Sequence, residues 1–371
     1  MYIHGHQPAA LLKGTILSIP KDCNKNLSVD TNYRGICLCS SIAKLFDLVV
    51  LARNKDYLQT SDMQYAFKPK LGTSMCSLVL KEVVNYYMQS GSKVYACFLD
   101  ATKAFDRVRY DQLFKVLMSR GVHAPDLRLL LNMYDNQNVR TVWKKQHSAY
   151  FQTANGIKQG GIISPTLFCI YLDSMLCKLR EEGYGCWVGK KYFGCLTYAD
   201  DVTLLCPSVY GLQKMLQQCE HFCGVSDLQF NSSKSMCICF SKRVEHPPSL
   251  TLNSNTMVWV TSVKHLGNYI QSNLSEEKEV QMKRADLIGR TNVVLGTLSG
   301  LQNDVINKVF QSQCCHFYGA QAWNLTDPAI SKFVTMYNRC VRRMLGLPHN
   351  HDPYTFAASV YMSPSCSGGH Q

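Results

Sequence analysis

Tyr192-Phe193-Gly194-Cys195-Leu196-Thr197-Tyr198-Ala199-Asp200-Asp201-Val202-Thr203-Leu204-Leu205-Cys206 places two acidic side chains between two short apolar runs. Residues 192–198 and 202–206 are each long enough for one strand. The stretch therefore predicts a β-hairpin whose tight turn carries the carboxylate pair. Adjacent carboxylates in apolar surroundings repel each other and lose hydration, so folding alone gives no reason for them. A divalent cation removes both penalties, and Mg²⁺ is usually held by one or two carboxylates plus substrate phosphate oxygens. An Asp-Asp pair also occurs in ordinary solvated turns, so its neighbours in the sequence have to decide.

The first such neighbour is Asp100, which ends the apolar run Val94-Tyr95-Ala96-Cys97-Phe98-Leu99. Here too a buried strand delivers an acid at its C-terminal end. A turn over residues 102–106 follows, and a helix over about residues 110–120 is expected to close at Gly121. Three carboxylates from two strand ends suit a two-metal phosphoryl-transfer site. Between the two acidic elements lies Gly156-Ile157-Lys158-Gln159-Gly160-Gly161-Ile162-Ile163-Ser164-Pro165. Its glycines allow close backbone approach to a ligand. Ser164 reads as an N-cap with Pro165 at the first helical position. The helix continues through Leu167, Phe168, Ile170, Tyr171, Met175, Leu176 and Leu179, a core stripe, and ends at Gly183. The loop before it sets Lys158 and Gln159 beside a helix N-terminus, where anions are favoured.

Taken in order, these strings resemble the reverse transcriptase domain of non-LTR (LINE-type) retrotransposons. The matching segments are residues 98–106 (FLDATKAFD), Gln159-Gly160 with Ser164-Pro165, Tyr198-Ala199-Asp200-Asp201, Asn231-Ser232-Ser233-Lys234 and Lys264-His265-Leu266-Gly267. Upstream, Asn32-Tyr33-Arg34-Gly35-Ile36 and Gln64-Tyr65-Ala66-Phe67 resemble the fingers motifs of that family. The resemblance covers roughly residues 11 to 275 and implies an α+β right-hand polymerase. It places fingers and palm over residues 11–245, a palm-end hairpin resembling a primer grip over 246–274, and a helical thumb over 275–349. The implied activity is RNA-directed DNA polymerisation with two Mg²⁺ ions (Mn²⁺ as an alternative), an RNA template, a DNA primer and dNTPs.

Carried over residue by residue, the resemblance makes Asp100, Asp200 and Asp201 the metal ligands and catalytic acids. Lys234 would protonate the leaving pyrophosphate. Phe105 would screen the sugar 2′ position, and Gln159 and Gly160 would touch the incoming nucleotide, with Arg34 and Lys21 gripping its triphosphate. Lys158, Lys264, Arg339, Arg342 and Arg343 are candidates for nucleic-acid contact. Read alone, Phe105 would be a core aromatic, Lys234 a surface lysine and the arginine run a solvated face. The chain departs from the family pattern at Ala66, where Gly is common, and at Gly35, where Pro is usual. Both substitutions are small and touch no proposed ligand. LINE proteins carry an endonuclease before the polymerase, whereas this chain opens inside the fingers. No zinc knuckle or RNase H domain is recognisable after the thumb, so a fragment of a longer element is expected. An inactive or domesticated fragment that only binds nucleic acid is the alternative, and a maturase or telomerase-like polymerase ranks below both.

Composition agrees. The 371 residues carry a net charge of +13. Residues 1–240 hold 27 basic against 18 acidic side chains and the remainder 12 against 8, so the surplus is spread along the chain. That suits a protein tracking a phosphate backbone. The 18 cysteines are badly spaced for structural disulfides or zinc. Cys37/Cys39, Cys237/Cys239 and Cys314/Cys315 are too close for ordinary staples, and reduced, buried thiols in an intracellular protein of nucleus or cytoplasm are expected. Lys13 interrupts the apolar N-terminal run, and no stretch reaches membrane-spanning length. Residues 241–260, rich in Pro, Ser, Thr and Asn, read as an exposed turn leading into a hairpin. Beyond them, helices are expected from Ser275 as a cap, over about 303–317, and over 328–345 with Gly346 and Pro348 as stops. The Ser/Gly/His-rich residues 350–371 are expected to be disordered.

Overall fold

The computed structural model describes residues 7–24, 26–243 and 247–347. Within them the contacts separate two units, one up to Thr261 and one from Ser262. The boundary falls inside the segment expected as a single palm-end hairpin. The expected disordered tail, the helix stop Pro348 and residues 244–246 of the expected exposed turn lie outside the described residues.

In the first unit the helices are α1 (Ser41–Arg53), α2 (Thr73–Gln89), α3 (Tyr110–Ser119), α4 (Ala124–Asp135), α5 (Ser164–Glu181) and α6 (Val209–Ser226). The central sheet has the order Val258–Trp259, Met236–Phe240, Val94–Leu99, Asp201–Cys206, Cys195–Tyr198. Its pairings are antiparallel apart from the parallel edge between Met236–Phe240 and Val258–Trp259. Central position explains the composition of Val94–Leu99 and Asp201–Cys206. Past the exposed Asp201 at the start of its strand, neighbours on both sides and helices over the sheet leave no room for charge, and Val94, Ala96, Cys97, Leu204 and Leu205 are fully buried. The hairpin forms as read, with Asp201↔Tyr198 as its first pair. Likewise α3 stops where Gly121 takes φ +80°.

Helix α5 buries every residue of its expected stripe, Leu167 through Leu179. Its start differs from the reading. Ser164 is already helical and Ile163 takes the cap position, with no side-chain cap bond. The capping carboxylate comes instead from Asp47 on α1, whose Oδ2 accepts from the Ile162 and Ile163 amides at 3.0 and 3.4 Å. A full anion there meets the helix dipole more strongly than a serine hydroxyl. A second sheet joins Tyr33–Cys39, Lys13–Pro20 and Asn138–Trp143, the first pair antiparallel and the second parallel.

The second unit begins with the hairpin Ser262–His265 and Asn268–Gln271, turning through Leu266 and Gly267 at φ +46° and +83°. Helices α7 (Glu277–Thr297), α8 (Asn303–Cys314) and α9 (Pro328–Met344) pack around Leu287, Val294, Phe310, Phe333 and Cys340. Ser275 lies one residue before the cap position of α7, and its Oγ accepts from the Glu277 amide. Asp327 caps α9 by accepting from the Ala329 amide at 2.8 Å. No described helix is long and apolar enough to cross a membrane.

Because Leu204 is fully buried in a strand paired on both sides, Leu204→Ala should cost about 2–5 kcal/mol through lost burial and a residual cavity. The exposed Val258 on the sheet edge gives the contrast, and Val258→Ala should stay within about 0.5 kcal/mol. Urea unfolding followed by tryptophan fluorescence checks both. Equal effects would mean that the central strand does not bear the core.

Candidate active site

The acidic cluster follows from sheet register. Leu99 pairs with Val202, so the next rung of the antiparallel ladder sets Asp100 opposite Asp201. Asp200 is carried by the turn one residue earlier. That turn requires Ala199 in the left-handed region at φ +56°, a conformation that costs a non-glycine residue about 1 kcal/mol or more. It is held there by Gln64, whose Oε1 accepts from the Ala199 amide and from the Ala66 amide, both at 3.0 Å. Gln64 is fully buried, and Thr197 exchanges backbone bonds with Met63 and Tyr65 beside it. The Asp100 backbone is also fixed. Its amide donates to Ser235 Oγ at 3.0 Å, and its carbonyl accepts from the Asn231 amide at 2.8 Å. Lys234, on the same loop and exposed, brings its Nζ to 4.0 Å from Asp100 Oδ2.

Like charges brought together this way resist ionisation. Burial and then the carboxylates of Asp200 and Asp100 push Asp201 up to about 6. Burial likewise raises Asp200, with Arg34 pulling the other way and Asp100 adding to the rise. Neither Asp200 nor Asp201 has an ion-pair partner among the described residues. Among the described residues no group of three or more His, Cys, Asp or Glu side chains is arranged to hold a metal ion by itself. The acidic pair at the turn, with Asp100 and its neighbour Lys234 beside it, suits a hard cation only when oxygens from a bound ligand complete the donor set.

Beside the acids lies the glycine loop. The Gly156 amide donates to the Val108 carbonyl and the Ile157 amide to the Phe105 carbonyl, both at 2.9 Å, so the loop is pinned to the turn after Asp100. At its tip the Gln159 carbonyl accepts from the Cys37 amide at 2.7 Å. Gly160 sits at φ +117°, where a Cβ would come within 2.7 Å of the Cys37 carbonyl oxygen. Only glycine fits there. The Gln159 side chain donates to Asp106 Oδ1 at 3.4 Å. Phe105 stacks on Phe168 of α5 with centroids 4.6 Å apart, which fixes its ring beneath the loop.

Residues 19–270 match the family described as reverse transcriptase (RNA-dependent DNA polymerase). The chain belongs to this reverse transcriptase family. Among curated relatives it is 24% identical over 370 residues to the RNA-directed DNA polymerase from mobile element jockey of Drosophila funebris, covering 93% of this chain and 39% of that protein. It is 24% identical to the probable RNA-directed DNA polymerase from transposon X-element of Drosophila melanogaster, covering 85% and 36%. A third relative at 24% identity is the retrovirus-related Pol polyprotein from type-2 retrotransposable element R2DM of Drosophila melanogaster, covering 66% and 22%. The chain thus spans well under half the length of these relatives. A solved telomerase from Candida tropicalis, in complex with a fragment of telomeric RNA, aligns with TM-score 0.50 and 9% identity over 95% of this chain and 64% of that one. That likeness concerns the fold.

The structure of this family member brings together Asp100, Asp200, Asp201 and Lys234, and the charge of Arg34 reaches Asp200. Lys21 acts on Asp106 in the same way, lowering it against a larger rise from burial. Lys158 requires a correction. It is buried, with its ammonium over the Tyr134 ring at 5.7 Å and its charge opposing the burial-driven rise of Asp47, so it is not presented to a nucleic acid. Lys264 lies over Tyr269, and Arg343 donates to Asn292 within the second unit. Three residues went unassigned in the sequence: Gln64 and Ser235, which hold the acidic backbone, and Asp47, which holds the loop's helix. Each acts on a residue far away in the chain, so no local spacing marks it.

Because the folded state raises Asp201 from its ordinary 3.8 to about 6, it favours the protonated form. The associated stability is complete below the unfolded value and is lost as pH rises through about 6. With divalent ions chelated, the melting temperature should therefore fall between pH 4 and pH 7, and Asp201→Asn should flatten that fall. A slope unchanged in the variant would mean that burial and the neighbouring carboxylates do not raise Asp201.

Proposed function

We propose that this chain extends a DNA primer on an RNA template by phosphoryl transfer from dNTPs, with Asp100, Asp200 and Asp201 holding divalent cations, two Mg²⁺ ions in the fullest form of the reading. The observation that carries it is the register of Leu99 with Val202, which brings three carboxylates together at one end of two central strands of a reverse transcriptase fold. Bound there, the cations would lower the pKa of the primer hydroxyl and neutralise charge on the triphosphate. The chain's own groups do the rest. Ser235 and Gln64 fix the backbone of the acids, so the carboxylates need no reorganisation when substrate arrives. Lys234, exposed and beside Asp100, is placed to deliver a proton to the departing pyrophosphate. The Arg34 side chain makes no ion pair or hydrogen bond among the described residues and is proposed to meet the triphosphate, with Lys21 directly after the strand that pairs with it.

Phe105, backed by Phe168, presents a ring that cannot yield easily, and a 2′-hydroxyl in its path would clash. The peptide bonds at Gln159 and Gly160, locked onto Cys37, form the floor for the incoming base. Lys264, Arg339, Arg342 and Arg343 are proposed as contacts to the duplex backbone from the hairpin and helical segments, with fingers and palm over residues 11–245 and a thumb after the primer-grip hairpin.

Asp100→Asn and Asp200→Asn each keep shape and remove charge. Primer extension on an RNA template should fall by roughly a thousandfold or more in either, since electrostatic stabilisation supplies a large share of such catalysis. Circular dichroism and melting should stay near the parent. Retention of most activity by a folded variant would overturn the assignment of these acids. Phe105→Val should raise ribonucleotide relative to deoxyribonucleotide incorporation in a competition assay. An unchanged ratio would leave Phe105 as a packing residue for α5.

A further inference from the structure

Cys37 and Cys39 lie two residues apart on the Tyr33–Cys39 strand, so both thiols project from one face. Their sulfurs are 3.8 Å apart and share a hydrogen bond. Cys37 is buried, and Cys39 at the end of the strand is partly open to solvent. The two thiols are unequal. The bond from Cys37 lowers Cys39 to about 6, helped by the Lys158 and Lys44 ammonium groups and opposed by burial and Asp47. The same bond, together with burial, pushes Cys37 up. The shared bond favours the thiolate on Cys39, the more open of the two, and keeps the proton on Cys37, which lies in position to resolve an adduct on its neighbour.

The strand carrying this pair is also the support of the glycine loop, since the Cys37 amide donates to the Gln159 carbonyl and the Cys37 carbonyl bounds the space at Gly160. We propose that Cys37 and Cys39 are a modification site for small-molecule disulfides, and that their oxidation to an intrastrand disulfide releases the Gln159–Gly160 loop. The Cys39 thiolate attacks one sulfur of the reagent disulfide and expels a thiolate. Cys37 then gives up its proton to that thiolate or to solvent and attacks Cys39 Sγ, expelling the second. The balance is two protein thiols and one reagent disulfide in, one protein disulfide and two reagent thiols out. Closing the sulfurs from 3.8 Å to a covalent bond of about 2.05 Å must draw the strand in. Alternate residues of an extended strand stand about 6.6–6.8 Å apart, at the upper limit for a bridged pair. The contraction falls on the peptide units that hold Gln159.

The inference does not depend on the polymerase reading, and its test uses no polymerisation. The full chain is incubated with glutathione disulfide, then followed by peptide mass spectrometry and by deuterium uptake across residues 156–163. The peptide spanning residues 37–39 should lose two hydrogens, with uptake in 156–163 rising several-fold and returning after dithiothreitol. Cys39→Ser should show neither change. Cys37→Ser should stop at a glutathione adduct on Cys39, and should it fail to fold, Cys39→Ser and the parent chain still decide. The proposal is overturned if both thiols stay free under conditions that modify the exposed Cys23, or if the bond forms while uptake is unchanged.

Discussion

The pairing of Leu99 with Val202 places negative charges side by side that would otherwise separate. It persists because the two strands carrying it are buried on both faces, and a one-residue slip would turn their apolar side chains outward. Hydrophobic register therefore holds the charges together, and burial, with the neighbouring carboxylates adding to it, pushes Asp200 and Asp201 up. The surrounding structure reinforces the same geometry. Gln64 stabilises a left-handed alanine at the turn, and Ser235 takes the Asp100 amide. These contacts are made with backbone, which leaves the Asp200 and Asp201 carboxylates without an ion-pair partner among the described residues, and Asp100 with Lys234 alone.

The glycine loop depends on the same sheet by a different route. Its base is pinned to the turn that follows Asp100, and its tip to the strand bearing Arg34 and Cys37. Asp47 on α1 then fixes the start of α5, whose Phe168 supports Phe105. The acids, the aromatic ring and the peptide floor are thus joined through short, buried links rather than through long side chains. Substitution at Gly160 would strike the Cys37 carbonyl, so the loop tolerates no side chain where it docks.

Much of this was legible in the residues themselves. The hairpin over residues 192–206, the strand ending at Asp100, the buried stripe of α5 and the helices over 303–314 and 328–344 all show local periodicity or punctuation. Such signals depend on neighbours within a few positions. What escaped was set by distant partners. Ser164 had the residue type of a cap, but Asp47 arrives from more than a hundred residues away and outcompetes it. Lys158 had the company of a phosphate-binding loop, yet Tyr134 and the body of the fold enclose its ammonium. Gln64 was visible only as part of a fingers string, and its bond to Ala199 spans 135 residues.

The central claim is that the three carboxylates form a divalent-cation site for a bound nucleotide. Its most direct test is Mn²⁺ binding followed by electron paramagnetic resonance, with an RNA–DNA primer–template and a dNTP present. The account predicts stoichiometric binding by the parent chain, and its loss in Asp200→Asn with duplex affinity unchanged. Equal Mn²⁺ binding by the folded variant would contradict it.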